Sequence, residues 1–236
     1  MINYEIKGGS MPVAICYLNS GDKIVSESGA MGWMSDNIIM DSNMKGGLFK
    51  SIGRSLSGES LFLNTFTCSG NVGKIAFPCS VPGRIMAKEL QPNESIICQK
   101  GAFMAAEDSV SLNIHFKKRF SSGLFGGEGF ILQRITGPGT VLLEFDGHVE
   151  ELNLNPGERI KVDTGHVAAF EPSVNFDIEM VKGLKNIFFG GEGLFLTTLT
   201  GPGKVYLQTM PLQNLAGKLS FYLNTGSTNL RDYISL

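Results

Sequence analysis

Short stretches of alternating apolar and polar residues recur along the chain. Residues 159–165 (RIKVDTG) and 173–181 (SVNFDIEMV) both show this alternation, which is typical of strands with one buried face. Residues 130–145 (FILQRITGPGTVLLEF) indicate a strand, a turn and a second strand. Pro138 and Gly139 suit the two corner positions of a type II turn. The pattern predicts an all-β protein.

One sixteen-residue stretch occurs twice with ten identical positions, as GGEGFILQRITGPGTV at 126–141 and GGEGLFLTTLTGPGKV at 190–205. A more divergent copy, SGESLFLNTFTCSGNV, lies at 57–72 and lacks the proline, so we expect a looser turn there. A second block begins at Leu18, Leu90 and Leu154, with an acid four residues later and an isoleucine two residues after the acid. Two blocks at nearly constant separation predict internal repeats.

The repeats divide the chain into three segments of one predicted domain. They cover about residues 11–82, 83–146 and 147–211, and a C-terminal helix and tail occupy 212–236. Isolated units of this size would leave sheet edges open, so we expect one closed body with pseudo-threefold symmetry. The helix is predicted because four apolar residues share one helical face: Leu212, Leu215, Ala216 and Leu219.

The motifs PGE, GGEG and TGPG in a triplicated frame resemble the altered-inheritance-of-mitochondria type family of largely uncharacterised proteins. The resemblance covers residues 1 to about 223. It implies repeats like the subunit of the tryptophan RNA-binding attenuation protein, a double-stranded β-helix-like sandwich. Eukaryotic members are linked to mitochondrial inner-membrane organisation. Because this chain begins without an Arg- and Ser-rich amphipathic presequence, it resembles a bacterial, cytosolic member. The resemblance supplies no catalytic residues.

Charge and composition narrow the choice of partner and compartment. The net charge is −2, so the basic surplus of a nucleic-acid binder is missing, and we expect no nucleic-acid partner. No stretch approaches 18 consecutive apolar residues, and the N-terminus lacks a secretory pattern. The four cysteines show no CxxC spacing and are interpreted as buried apolar residues. These features predict a cytoplasmic protein.

The motifs of common enzyme classes are absent from the sequence. It contains no GxxxxGK[ST], no GxGxxG and no GxSxG. His115, His148 and His166 stand singly, at different positions within their repeats. We therefore predict no cofactor, no metal site and no catalytic residue.

Two recurring features remain as candidate sites. Glu59, Glu128 and Glu192 occupy one position in all three repeats. Near a pseudo-threefold axis they would repel one another, raise each other's pKa values or recruit a cation. The alternative is that each glutamate accepts backbone hydrogen bonds at a turn and fixes the entry to the following strand.

Basic and aromatic residues precede each of these glutamates. The candidate contact residues in these loops are Lys45, Phe49, Lys50, Lys117, Lys118, Arg119, Phe120, Phe125, Lys185, Phe188 and Phe189. Such loops can contact an anionic membrane surface or a protein. The alternative is that the aromatic rings cap the ends of the core while the lysines are solvated.

The sequence favours a non-enzymatic structural or interaction protein whose partner is an unidentified protein or a second copy of itself. The alternative is a small-molecule or ion binder, or an enzyme, with a pocket between repeats. A binder would carry polar residues in one repeat that the others lack. His166 and Trp33 are the conspicuous unique residues.

Overall fold

The computed structural model describes residues 2–42, 63–118, 129–180 and 195–224. These residues form nineteen antiparallel strands and one α-helix. The all-β prediction and the C-terminal helix are confirmed.

Strand β1 (Asn3–Lys7) precedes the first segment, and each segment then contributes six strands. Those of the first segment are β2 (Val13–Asn19), β3 (Lys23–Glu27), β4 (Trp33–Met34), β5 (Ile38–Asp41), β6 (Leu63–Cys68) and β7 (Val72–Pro78). Those of the second are β8 (Gly83–Leu90), β9 (Ser95–Gln99), β10 (Phe103–Glu107), β11 (Ser111–Lys118), β12 (Phe130–Thr136) and β13 (Gly139–Asp146). Those of the third are β14 (Val149–Leu154), β15 (Arg159–Asp163), β16 (Val167–Phe170), β17 (Asn175–Met180), β18 (Phe195–Thr200) and β19 (Gly203–Gln208).

The strands assemble into four sheets. Sheet A has the order β1-β2-β7-β4, and sheet D has the order β15-β18-β17. Sheet B has the order β5-β6-β3-β10-β13-β8, and sheet C has the order β11-β12-β9-β16-β19-β14. Sheet B therefore combines strands of the first and second segments, and sheet C combines strands of the second and third. β4 and β15, which would join sheets A and D, are not paired with each other.

Three hydrophobic cores separate the four sheets, which stack in the order A, B, C, D. Phe77 of sheet A and Phe66 of sheet B meet edge to face in the first core, with ring centroids 6.3 Å apart. Phe145 of sheet B stacks on Tyr206 of sheet C in the second core. The third core lies between sheets C and D and contains Leu132 and Leu199. Sheets B and C are thus buried on both faces, which explains the nearly continuous apolar run of β13.

The repeated sequence positions have repeated structural roles. The leucines that open the second repeated block, Leu18, Leu90 and Leu154, are all buried. The turn after each of them contains a residue with positive φ, namely Gly21 (86°), Asn93 (68°) or Gly157 (78°). Glycine tolerates this backbone region, and asparagine does so better than most residues. The prediction that Gly157 adopts a positive φ in the NPGE turn is confirmed.

The TGPG turns differ from the predicted type II geometry. The Gly137–Pro138 and Gly201–Pro202 peptide bonds are both cis, and Gly139 and Gly203 have φ values of 135° and 140°. In the first segment, which lacks the proline, Asn37 holds the corresponding turn. Its Nδ2 donates to the carbonyl oxygen of Val72 (3.2 Å), and its own carbonyl accepts from the backbone N–H of Ser69 (2.9 Å).

Helix α1 (Leu212–Asn224) follows β19 at the predicted place. Its first turn is tied to sheet B, because Asp146 Oδ2 accepts a hydrogen bond from the backbone N–H of Leu212 (2.8 Å). Leu212 and Leu219, on the predicted apolar face, are exposed. The helix therefore does not bury this face against the described residues.

Candidate functional site

The glutamates of the three Gly-Glu pairs, Glu59, Glu128 and Glu192, all lie outside the described residues. Ion binding and turn fixing by these side chains both stay predictions.

A different repeated set of carboxylates holds turns. These are the acids of the second repeated block, and each accepts a hydrogen bond from the backbone N–H three residues before it. The N···O distances are 2.8, 3.0 and 2.8 Å for the pairs Asn19–Asp22, Gln91–Glu94 and Asn155–Glu158. We call Asp22, Glu94 and Glu158 the turn acids. Their recurrence has a structural cause, because a charged acceptor satisfies a backbone donor at each tight turn.

Two further recurring carboxylates were not found by comparing the three repeats with one another. Glu107 Oε2 accepts from the backbone N–H of Thr140, and Glu171 Oε2 accepts from that of Lys204. In the first segment Ser35 Oγ accepts from the backbone N–H of Lys74 instead. The change from glutamate to serine hides this correspondence in the sequence.

Of the eleven candidate contact residues in the basic-aromatic loops, only Lys117 and Lys118 lie in the described part of the chain, at the end of β11. Lys118 Nζ donates a hydrogen bond to the backbone carbonyl of Ile178 in β17 (3.1 Å). This lysine therefore helps to hold sheet C against sheet D. The other nine residues lie outside the described residues, and their contact role stays a prediction.

The four thiols are free and buried. Burial raises the pKa of Cys16 and of Cys79 to about 12, and it also raises the pKa of Cys98. A nucleophilic cysteine needs a lowered thiol pKa and access to solvent. The arrangement thus favours the interpretation of the cysteines as core residues.

The three histidines contact different groups. His166 Nδ1 is 2.7 Å from the carbonyl oxygen of Gln208, and His148 lies on the surface beside Glu150. His115 contacts the ring of Phe176, and burial lowers the pKa of its imidazole. Within the described ranges, no cluster of three or more His, Cys, Asp or Glu side chains could hold a metal ion.

One buried polar atom in the described residues has no hydrogen-bond partner, the Oε1 atom of Gln133 in β12. Gln133 is 2 % exposed and sits opposite Cys98 across the β9–β12 pair. A single ordered water would satisfy this acceptor.

The outer face of sheet A is partly apolar and carries a small charged network. Trp33, Ile15 and Ala76 adjoin one another on this face, because Ala76 pairs with both of the other residues. Beside them the Tyr17 hydroxyl donates to Glu5 Oε1 (2.5 Å), and Lys7 Nζ lies 2.7 Å from the same oxygen. These hydrogen bonds, that from Lys7 foremost, lower the pKa of Glu5.

Exposed apolar side chains are concentrated in the N-terminal third of the chain. Of the nine large ones in the described residues, seven lie there: Tyr4, Ile6, Met11, Trp33, Ile39, Met40 and Val72. All seven belong to sheet A, to the turn before β2 or to the β5 edge of sheet B. A concentration of this kind marks an interaction site more often than isolated exposed residues do.

Trp33 departs most from its counterparts in the other segments. It pairs with Ala76 as Ala105 pairs with Leu142 and as Ala169 pairs with Tyr206. Both of the counterpart alanines, at 105 and 169, are fully buried, whereas Trp33 is 54 % exposed. Trp33, one of the two conspicuous unique residues of the sequence, therefore lies at the open edge of sheet A.

A model of one protein family, described as mitochondrial biogenesis AIM24, matches residues 4–210. This range includes all three segments. The chain belongs to the AIM24 family. The predicted resemblance is thereby confirmed.

Two streptococcal proteins are similar to this chain over most of its length. An uncharacterised protein of Streptococcus pyogenes serotype M6, M6_Spy0233, is 31 % identical over 224 residues, which cover 92 % of this chain and 88 % of that protein. The crystal structure of protein SPYM3_0169 from Streptococcus pyogenes matches with a TM-score of 0.76 and 27 % identity. The match covers 94 % of this chain and all of that one.

No helix in the described part of this AIM24 family member is long and apolar enough to cross a membrane.

Proposed function

We propose that this AIM24 family protein is a non-enzymatic structural or interaction protein, a single domain of three repeats that presents an apolar surface to a protein partner. The observation that carries the proposal is the concentration of exposed apolar side chains around Trp33 and β5. We call Tyr4, Ile6, Met11, Trp33, Ile39, Met40 and Val72 the N-terminal apolar surface.

The packing of the sheets supports this assignment. The inner strands of sheets B and C are covered on both faces by the three cores, whereas β5 lies at the edge of sheet B, and the outer face of sheet A, which carries Trp33 and Val72, is covered by no described element. Leaving several large apolar side chains in water is unfavourable by roughly 25 cal/mol for each Å² that a partner would cover. A protein partner would recover this free energy.

The proposal includes a cytoplasmic location and repeats of the kind found in the tryptophan RNA-binding attenuation protein. The four buried free thiols support a reducing compartment. The six strands of each segment pair in the same order, which supports the interpretation of the segments as repeats.

Site-specific photo-crosslinking tests the proposal. A benzophenone amino acid is placed at Trp33 or Ile39, and at Glu150 as a control that is exposed but lies in β14, outside the N-terminal apolar surface. Each variant is expressed in cells of the native host and illuminated there. Discrete adducts should form from the first two positions only. Equal labelling from all three positions, or none from Trp33 and Ile39, would contradict the proposal.

A further inference from the structure

The structure also indicates one partner for this surface, a second copy of the chain; the inference rests on the proposed function. It starts from the way consecutive segments join. β3 of the first segment pairs with β10 of the second, and β9 of the second pairs with β16 of the third. We call these two strand pairs, each of which joins consecutive segments, the internal seams. They have the same register, because Ala106 pairs with Val25 and Phe170 pairs with Ile97 at corresponding positions.

The two ends of the chain each carry half of such a seam. β4 corresponds to β10 and β16, and among the described strands it pairs with β7 alone. β15 corresponds to β3 and β9, and it pairs with β18 alone. Sheet A therefore ends at β4, whereas sheet B continues from the corresponding strand β10 to β3. Sheet D ends at β15, whereas sheet C continues from the corresponding strand β9 to β16, β19 and β14.

The third core likewise lacks residues that the first two cores contain. Each of the first two cores is extended by four residues of the following segment, at positions that correspond between the two cores. The residues that extend the first core are Ile85, Met104, Ala105 and Leu142. Those that extend the second core lie 64 positions later and are Val149, Ala168, Ala169 and Tyr206. Among the described residues, the third core contains members of the second and third segments only, and no following segment extends it.

We propose that β15 of one copy pairs with β4 of a second copy, so that sheets D and A form one continuous sheet of the order β17-β18-β15-β4-β7-β2-β1. In the register of the two internal seams, Trp33 of the second copy lies opposite Val162, and Met34 lies opposite Lys161. Trp33 then occupies the position of Ala105 and Ala169 and extends the third core, where Val162 and Leu207 are only partly buried.

The backbone groups at both edges have the orientation that this pairing requires. In an antiparallel ladder, successive residues direct their N–H and C=O groups to opposite sides. The backbone N–H of Gly201 donates to Glu158 (2.9 Å), so residues 158, 160 and 162 face β18 and Lys161 faces the open edge. The backbone N–H of Ser35 donates to Lys74 (2.8 Å), so Met34 faces the open edge of β4.

One basic and one acidic residue lie next to the open edges, at the positions that a basic and an acidic residue occupy in the β3–β10 seam. Lys23 and Asp108 line one shallow cleft at the end of the β3–β10 seam. Arg159 and Asp36 hold the corresponding positions at the open edges of β15 and β4. A contact between two different surfaces of one chain is heterologous, so each copy can bind one neighbour at either end.

Two proline variants test the pairing in purified protein. Met34→Pro and Lys161→Pro each remove an N–H from an open edge without removing a backbone hydrogen bond within the chain. Asn153→Pro is the control, because β14 is an edge strand outside the seam. Sedimentation should show association of the wild type and the control, and monomers for each seam variant. An equimolar mixture of the two seam variants should form a dimer of twice the 25.5 kDa of one chain.

Trp33, the single tryptophan of the chain, reports on the same contact. Its emission should shift to shorter wavelength as the wild type associates, and should stay unshifted in the two separate seam variants. A wild type that remains monomeric at high concentration, or a mixture that gives no dimer although both variants show native circular dichroism, would overturn the inference.

If a proline variant does not fold, cysteine cross-linking replaces it. Mixed Met34→Cys and Lys161→Cys chains should form an intermolecular disulfide on mild oxidation, because directly opposed residues of an antiparallel pair lie within disulfide reach. Failure to cross-link would overturn the self-pairing. The proposed function would then still be decided by the photo-crosslinking, where adducts of a different protein would support it.

Discussion

Glu107 Oε2 accepts a hydrogen bond from the backbone N–H of Thr140 across 2.7 Å. The bond ties the end of β10 to the start of β13, directly after the cis Gly137–Pro138 peptide. Glu171 and Lys204 repeat it in the third segment at 2.9 Å. Glu107 in the second segment and Glu171 in the third therefore hold equivalent strand ends together.

Removing this acceptor should destabilise the protein. We expect Glu107→Ala to lower the free energy of unfolding by about 1–3 kcal/mol, because the backbone N–H of the largely buried Thr140 loses its partner. Urea denaturation measures the change. Asp108→Ala, at the exposed neighbouring position, is the matched control and should change stability by less than about 0.5 kcal/mol.

The glycine beside this bond should not tolerate a side chain. Gly139 has a φ of 135°, and a Cβ atom there would lie 2.8 Å from Glu107 Oε2 and 2.9 Å from Val110 Cγ2. We expect Gly139→Ala to cost about 2 kcal/mol or more, since both the backbone and the contacts are strained. Gly101→Ala is the control, because a Cβ atom there meets nothing within 4 Å. Thermal unfolding that ranks the two variants equally would contradict this account.

Glu94, one of the turn acids, should make stability depend on pH. The hydrogen bond from the Gln91 backbone, followed by the contact with Lys88, lowers the pKa of Glu94 in the folded protein. A lowered folded-state pKa stabilises the protein above the unfolded value near 4.5, and this contribution is lost as the pH falls through the folded value. The difference in Tm between wild type and Glu94→Gln should therefore be largest at neutral pH and vanish in acid. Because Glu94 is substantially exposed, the effect should be small.

The cysteines should be inert until the protein unfolds. Cys16 and Cys79, with pKa values of about 12, are almost wholly protonated at pH 8, and all four thiols are buried. A thiol-reactive chromophore should label none of them rapidly in native protein and all four in guanidinium chloride. Rapid labelling of any one thiol in the native state would show that it is accessible.

Much of the local structure follows from the sequence alone. Alternation predicts strands such as β15 and β17, and the NPGE motif predicts a turn with Gly157 at positive φ. The spacing of apolar residues predicts helix α1. These features depend on neighbouring residues, whose periodicity and backbone preferences are written directly in the chain. The family resemblance also follows from the sequence, because the repeated motifs are contiguous.

The tertiary structure decided what the repeated residues do and where the surface lies. It assigned the turn acids to backbone hydrogen bonds, revealed the role of Glu107 and left the apolar face of α1 exposed. It also placed Trp33 at an open edge, where Ala105 and Ala169 are buried in internal seams. The sequence predicts which residues alternate, but the pairing of strands between segments joins residues far apart in the chain. Whether an apolar residue is covered depends on that pairing, which no local pattern encodes.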